Sequence, residues 1–124
     1  MIRQKYTINA PIEKVWEAIV TPEIINKWGA GPAKMDGKPG SEFTLWGGDI
    51  WGKNLEVVKG KKLIQEWFGG NWDKPSKLTI ILSEDSSSTL VDLIHEGVPK
   101  DEEADFADGW KTYYFGEIKK LLEK

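Results

Sequence analysis

Between Gly29 and Gly97 the chain is cut by glycine into short runs of strand type, and helical patterns flank that stretch on both sides. The breaks Gly29-Ala30-Gly31-Pro32, Gly37 to Gly40, Gly47-Gly48-Asp49 and Gly69-Gly70-Asn71 separate segments that read as strands near 33–36, 41–46, 50–58, 62–68, 77–83 and 89–97. Glycine and proline serve turns and weaken strand interiors, so their clustering marks the connections. Consecutive strands joined by links this short pair as an antiparallel meander, since a parallel crossover needs a far longer connection. Period-two alternation is clearest at Leu78, Ile80 and Leu82, with Ile81 the exception, and at Val91, Leu93 and His95, where Leu90 and Ile94 blur it. Lys59, Lys61 and Lys62 around Gly60 read as a solvated hairpin turn, and Glu84 to Ser88 as a hairpin loop.

Ahead of this stretch, Ile2 to Ile8 reads as a strand, with Tyr6 and Ile8 on one parity and Lys5 and Thr7 on the other. Pro11 suits a first helical turn, whose N–H groups have no intrahelical partner. Ile12, Val15, Trp16 and Ile19 then fall on one helical face. Thr21-Pro22-Glu23 restarts the helix signal with a hydroxyl cap, a proline and an acid in the first turn, and Ile24, Ile25 and Trp28 form its apolar side. After the strands, Asp101, Glu102, Glu103 and Asp105 open one long helix that closes on Lys119, Lys120 and Lys124, the charge order its dipole favours. Phe106, Trp110, Tyr113, Tyr114 and Leu121 share one side with Ile118 at its margin, whereas Phe115 and Leu122 fall off that side and are expected to be partly exposed. Glu117 is expected at the margin, reaching water and a lysine. This order predicts an α+β fold, a single domain over residues 1–124 with helices on one face of a curved antiparallel sheet of about seven strands.

Seven tryptophans, at positions 16, 28, 46, 51, 67, 72 and 110, are more than a core of this size calls for. Each buries roughly 150–250 Å², and a core built for stability alone would draw on Leu, Ile and Val. The surplus points to side chains that line a concavity. A net charge of −3 with interspersed signs argues against nucleic acid, which calls for a basic stripe. The chain has no cysteine, hence no disulfide, thiolate metal site or cysteine nucleophile, and the single His95 builds no histidine metal cluster. No cofactor or metal is expected. The acid pairs Glu102/Glu103 and Glu84/Asp85 sit on a helix start and in a loop, without a context that would split their pKa values for acid–base work. No charged-then-apolar leader opens the chain and no apolar run approaches membrane-spanning length, so a cytoplasmic monomer or weak dimer without membrane contact is expected.

Four strings carry a family resemblance. Ile8-Asn9-Ala10-Pro11-Ile12-Glu13-Lys14-Val15-Trp16, followed by Thr21-Pro22-Glu23 and Trp28, resembles the opening signature of the AHSA branch of the helix-grip (SRPBCC) superfamily, which includes START domains and the birch-pollen-allergen fold. Gly40-Ser41-Glu42-Phe43 resembles that branch's Gly-Gly-x-Phe strand start, and Leu93-Ile94-His95-Glu96-Gly97-Val98-Pro99 its Leu-Thr-His-Ser-Gly-Phe-Pro run. Gly109-Trp110, Tyr113-Tyr114-Phe115 and Ile118-Lys119 are similar to the C-terminal domain of the co-chaperone for which the branch is named, the activator of the heat-shock protein 90 ATPase.

The resemblance implies that the long helix lies across the concave sheet with a cavity between them. Trp110 and Tyr114 would line it from the helix, Phe43, Leu45, Trp67, Leu78, Ile80, Leu82, Val91, Leu93 and His95 from the sheet, and Trp28 would close one end. Trp46 is expected to point outward by alternation with Phe43 and Leu45; Trp51 and Trp72 carry no orientation. His95 shares the inward parity of Val91 and Leu93 and is expected either to bond a backbone carbonyl or tyrosine hydroxyl at the cavity wall, or to recognise a polar tip on an apolar ligand. Three functions are compatible with these expectations. One is a non-catalytic binding module for a small hydrophobic or aromatic molecule. Another is a co-chaperone-like, stress-related interaction domain whose partner is a chaperone or other protein. The third, an aromatase/cyclase-like or hydrolytic enzyme, is disfavoured by the sparse ionisable groups of the interior.

Overall fold

The structure, a computed structural model, describes residues 1–123; Lys124, expected in the cationic end of the last helix, lies outside the described residues. Strands β1 (Ile2–Ile8), β2 (Glu42–Leu45), β3 (Ile50–Val58), β4 (Lys62–Gly69), β5 (Ser76–Asp85) and β6 (Ser88–Glu96) form one antiparallel sheet in the order β1-β6-β5-β4-β3-β2. The register lines up the inward residues in rows across it. Gln65 pairs with Leu78, Leu78 with His95 and His95 with Ile2; in the next row Leu63 pairs with Ile80 and Ile80 with Leu93. Side chains of opposite parity face water, among them Trp51, which stacks on Phe68 with ring centroids 5.8 Å apart. An irregularity between Asn54 and Glu56 turns Leu55 outward.

The sheet has six strands rather than seven. Segment 33–36 makes only the isolated bridge between Lys34 and Thr44. The carbonyls of Asp36 and of Lys38 just beyond it accept hydrogen bonds from the Asn54 side chain, at 2.8 and 3.1 Å, so past the bridge a side chain takes over from the ladder.

Helices α1 (Ile12–Val20) and α2 (Pro22–Trp28) form the bent element expected from their two proline-marked starts, and both bury their apolar faces against the concave side. The Trp28 indole donates to the Ala18 carbonyl at 2.7 Å, tying the two together. Among the described residues no helix is long and apolar enough to cross a membrane.

The last helix departs from the expected rod. It consists of α3 (Glu103–Gly109), a π-turn (Trp110–Tyr114) and α4 (Phe115–Leu122), and the Phe115 N–H bonds to the Trp110 carbonyl five residues back. The wider turn brings residue 115 under residue 110, where a turn of 3.6 residues would leave it to the side. Phe115 is therefore fully buried, stacked on Tyr6 with centroids 5.0 Å apart, while Tyr113 is turned to the rim and is 62% exposed. Glu117 sits at the margin and pairs with Lys120 at 3.3 Å. The helix end is pinned to β1 through Glu123, which accepts the Asn9 N–H at 2.8 Å.

Gly116 makes the π-turn possible. A Cβ there would stand 2.3 Å from the Lys111 carbonyl oxygen, a backbone atom that cannot step aside. Alanine for glycine inside a helix ordinarily stabilises by about 1 kcal/mol, and Gly109→Ala, where a Cβ meets nothing within 4 Å, should behave in that way. Gly116→Ala should invert the sign and destabilise by about 1–3 kcal/mol. Urea unfolding of the two variants side by side measures this, and equal stabilisation by both would contradict it.

Candidate functional site: an aromatic cleft beside the helix

A cleft of about 420 Å³ opens between the first half of the C-terminal helix and the β2–β3 end of the sheet. Trp46, Ile50 and Trp67 line it from the sheet side; Asp105, Phe106, Gly109, Trp110, Tyr113 and Tyr114 line it from the helix. Its deep wall is a cluster of rings. Trp67 and Trp110 are 4.8 Å apart between centroids, and Trp110 and Tyr114 4.6 Å apart.

Trp46 reaches this cleft because of its backbone, a correction to the outward orientation expected of it. Its φ is +50°, in the left-handed region where a bulky residue is unusual. The Trp46 N–H donates to the Ala30 carbonyl at 2.8 Å and the Gly47 N–H to the Pro32 carbonyl at 3.0 Å. These bonds hold a conformation that breaks strand alternation and swings the indole onto the partly buried side. Gly52 allows a close approach nearby: a Cβ there would lie 1.8 Å from the Glu66 carbonyl oxygen.

Behind the rings runs a chain of hydrogen bonds whose direction is set by one donor. The Trp110 Nε1–H, which can only donate, faces His95 Nδ1 at 3.2 Å. Nδ1 must accept, so the ring proton resides on Nε2, which contacts Ser76 Oγ at 2.7 Å. Ser76 then passes its own hydrogen to the Trp67 carbonyl at 3.0 Å. A second chain begins at the Trp67 indole, which donates to Gln65 Oε1 at 2.8 Å; Gln65 Nε2 donates in turn to Asn54 Oδ1 at 2.8 Å. Both tryptophans of the deep wall are thus fixed through their N–H groups. His95 is fully buried, and burial pushes its imidazole down to about 4. Burial likewise pushes the Tyr114 hydroxyl well above the usual tyrosine range.

Of the residues expected to line a cavity, the structure brings Trp67, Trp110 and Tyr114 to the cleft. Phe43, Leu45, Leu78, Ile80, Leu82, Val91 and Leu93 lie in the packed core behind or beyond it, because the helices sit down directly on that part of the sheet. Trp28 packs edge-on against Tyr114, with centroids 4.7 Å apart, on the core side. His95 stands one layer back, edge-on to Phe106 and Trp110, and its bonds go to Ser76 and Trp110 rather than to a carbonyl or a tyrosine. Trp72 covers Phe106 and donates to Glu102 Oε2 at 2.7 Å. Sequence reasoning missed Ser76, Gln65, Trp46, Ile50, Asp105 and Gly109. Gln65 carried a signal, a polar residue at the inward parity of Leu63 and Trp67. Among the described residues no group of three or more His, Asp or Glu side chains is placed to hold a metal.

The family model described as activator of Hsp90 ATPase homolog 1-like protein matches residues 9–123. The activator of 90 kDa heat shock protein ATPase homolog 2 of Mus musculus is 29% identical over 114 residues, 90% of this chain and 34% of that protein. The activator of 90 kDa heat shock protein ATPase homolog of Dictyostelium discoideum is 36% identical over 88 residues, 68% of this chain and 23% of its own length. The chain thus spans about a third or less of the length of these curated relatives. Among solved structures, an HSP90 activator from Plasmodium falciparum superposes with a TM-score of 0.86 at 23% identity, covering 99% of this chain and 97% of that one. CalU16 from Micromonospora echinospora gives 0.80 at 27% identity, over 96% of this chain and 70% of its own.

The buried imidazole makes stability depend on pH in a defined direction. Between its ordinary value of 6.5 and about 4, the unfolded chain takes up a proton that the folded ring refuses. The stabilisation is fully present above pH 6.5 and is lost as the pH falls toward 4, by about 3 kcal/mol in all. Urea midpoints followed by tryptophan fluorescence should fall more steeply over this range for the wild type than for His95→Gln, by one proton's worth. Parallel slopes would contradict a neutral, buried His95.

Proposed function

The chain belongs to the AHSA1 family, and on that premise we propose that it is a non-catalytic binding module whose cleft takes a small, flat hydrophobic or aromatic molecule. The observation that carries this reading is the cleft itself, open to solvent yet walled by Trp46, Trp67, Phe106, Trp110, Tyr113 and Tyr114. Its volume of about 420 Å³ falls in the range of roughly 300–1,000 Å³ usual for small-molecule sites. Two of its indoles are held by the hydrogen-bond chains behind them, so a flat ligand meets surfaces already in place and little ordering cost remains. His95 supports binding from behind, as the group that positions Trp110. A binding role also suits the makeup of the wall: both nitrogens of His95 are engaged, and Asp105 has no second carboxylate and no histidine beside it on the lining.

A second reading has a specific observation in its favour. The relatives named as activators of a 90 kDa heat shock protein ATPase, together with the exposed Tyr113 at the rim, favour a chaperone-type protein partner that inserts an apolar side chain into the same cleft.

Calorimetric titration with neutral 1-naphthalenemethanol should show saturable one-to-one binding, with Kd roughly 10–1,000 µM. Gly109→Leu fills the cleft from a helical position where a Cβ meets nothing, and should abolish binding while holding or raising stability. Absence of binding in the wild type, or binding unchanged in Gly109→Leu, would contradict the ligand reading. A raised ATPase rate of a 90 kDa heat shock protein on addition of the domain, in that case, would favour the docking reading.

A further inference from the structure

The cleft's charge says more about its occupant than its volume does, and the inference drawn from it rests on the small-molecule reading. Asp105 is the single side chain on the lining that carries a full charge; no lysine or arginine reaches the wall. More negative charge stands on the same helix start and beside it, at Glu102, Glu103 and Asp108. The lysines of this helix gather elsewhere: Lys111, Lys119 and Lys120 share a separate groove with Lys5 of β1. The lining itself is therefore net negative, with no cation on it to neutralise Asp105, although Glu103 beside it is paired with the Met1 amine at 2.9 Å.

The hydrogen-bond inventory points the same way. An anionic or carbonyl-bearing ligand wants donors, but the indole N–H groups of Trp67 and Trp110 are already given to Gln65 and His95. What remains on the lining are aromatic rings, whose faces carry the negative side of the quadrupole and attract cations, and the neutral donors of Trp46, Tyr113 and Tyr114, which bring no positive charge to set against Asp105. We infer that the cleft selects small organic cations, an ammonium group carried on an aromatic or alkyl body. The body lies against Trp46, Trp110 and Tyr114, and the charged nitrogen sits between the ring faces and the Asp105 carboxylate. A molecule of the same shape bearing a carboxylate would meet Asp105 with no lysine or arginine on the lining to compensate it.

Three naphthalene probes of nearly one shape test this: 1-naphthylmethylammonium, 1-naphthalenemethanol and 1-naphthoate, titrated calorimetrically into the wild type and Asp105→Asn. In the wild type the ammonium should bind about tenfold tighter than the alcohol, with the naphthoate weakest. In Asp105→Asn the ratio of ammonium to alcohol affinity should shrink to about threefold. If the alcohol binds and the ammonium binds no tighter, or the preference survives Asp105→Asn undiminished, cation selection by this wall is wrong and the binding site stands. If none of the three binds, the small-molecule reading fails and this inference fails with it.

Discussion

The π-turn at Trp110–Tyr114 is the constraint on which the rest of the site depends. In a regular helix the side chains at 110, 114, 115 and 118 could not all face one sheet, because residue 115 would trail off the contact side. One i→i+5 bond resolves the conflict. Phe115 and Ile118 go into the core, Tyr114 goes onto Trp28, and Trp110 reaches His95. The cost is a backbone that only glycine tolerates at 116. Turns of this kind are frequent at functional sites, and here the turn lies on the wall of the cleft.

Aromatic surface and polar fixing are divided between two layers. The front layer is rings. The layer behind it is Ser76, His95, Gln65 and Asn54, all buried, and among the described residues no buried side-chain nitrogen or oxygen lacks a hydrogen-bond partner. Polar groups in a core are costly unless every one is satisfied. Their effect here is orientation: each chain of bonds ends on an indole N–H or on the backbone of the strand that carries Trp67. The two chains fix Trp67 and Trp110 through their N–H groups, and the one exposed charge on the wall, Asp105, sets its polarity.

Much of this was legible in the chain before any coordinates. The order of elements, the concave face of β5 and β6, the turn at Gly60 and the inward His95 all follow from period and from glycine placement. Those rules are local, and they fail where tertiary bonds decide. Trp46 obeys the Ala30 and Pro32 carbonyls rather than strand alternation. Segment 33–36 has strand-like composition, but it makes no ladder beyond the Lys34–Thr44 bridge, and the Asp36 carbonyl goes to Asn54. The π-turn left one trace, a glycine at 116 within a helix of good formers, which composition alone does not distinguish from a tolerated defect. The cavity expected from the whole concave face contracts to one end, since helical packing fills the rest with Leu78, Ile80, Leu82, Val91 and Leu93, and no periodicity rule reports how deeply a helix settles onto a sheet.

The seven tryptophans report on whether the space beside the helix is a binding site. Their indole N–H resonances can be followed individually by proton–nitrogen NMR during titration with a naphthalene probe. Trp46, Trp67 and Trp110 should shift together and saturate at one concentration while Trp16, Trp28 and Trp51 stay in place. Shifts confined to Trp51 on the outer face of the sheet, or no shift at Trp110, would contradict it.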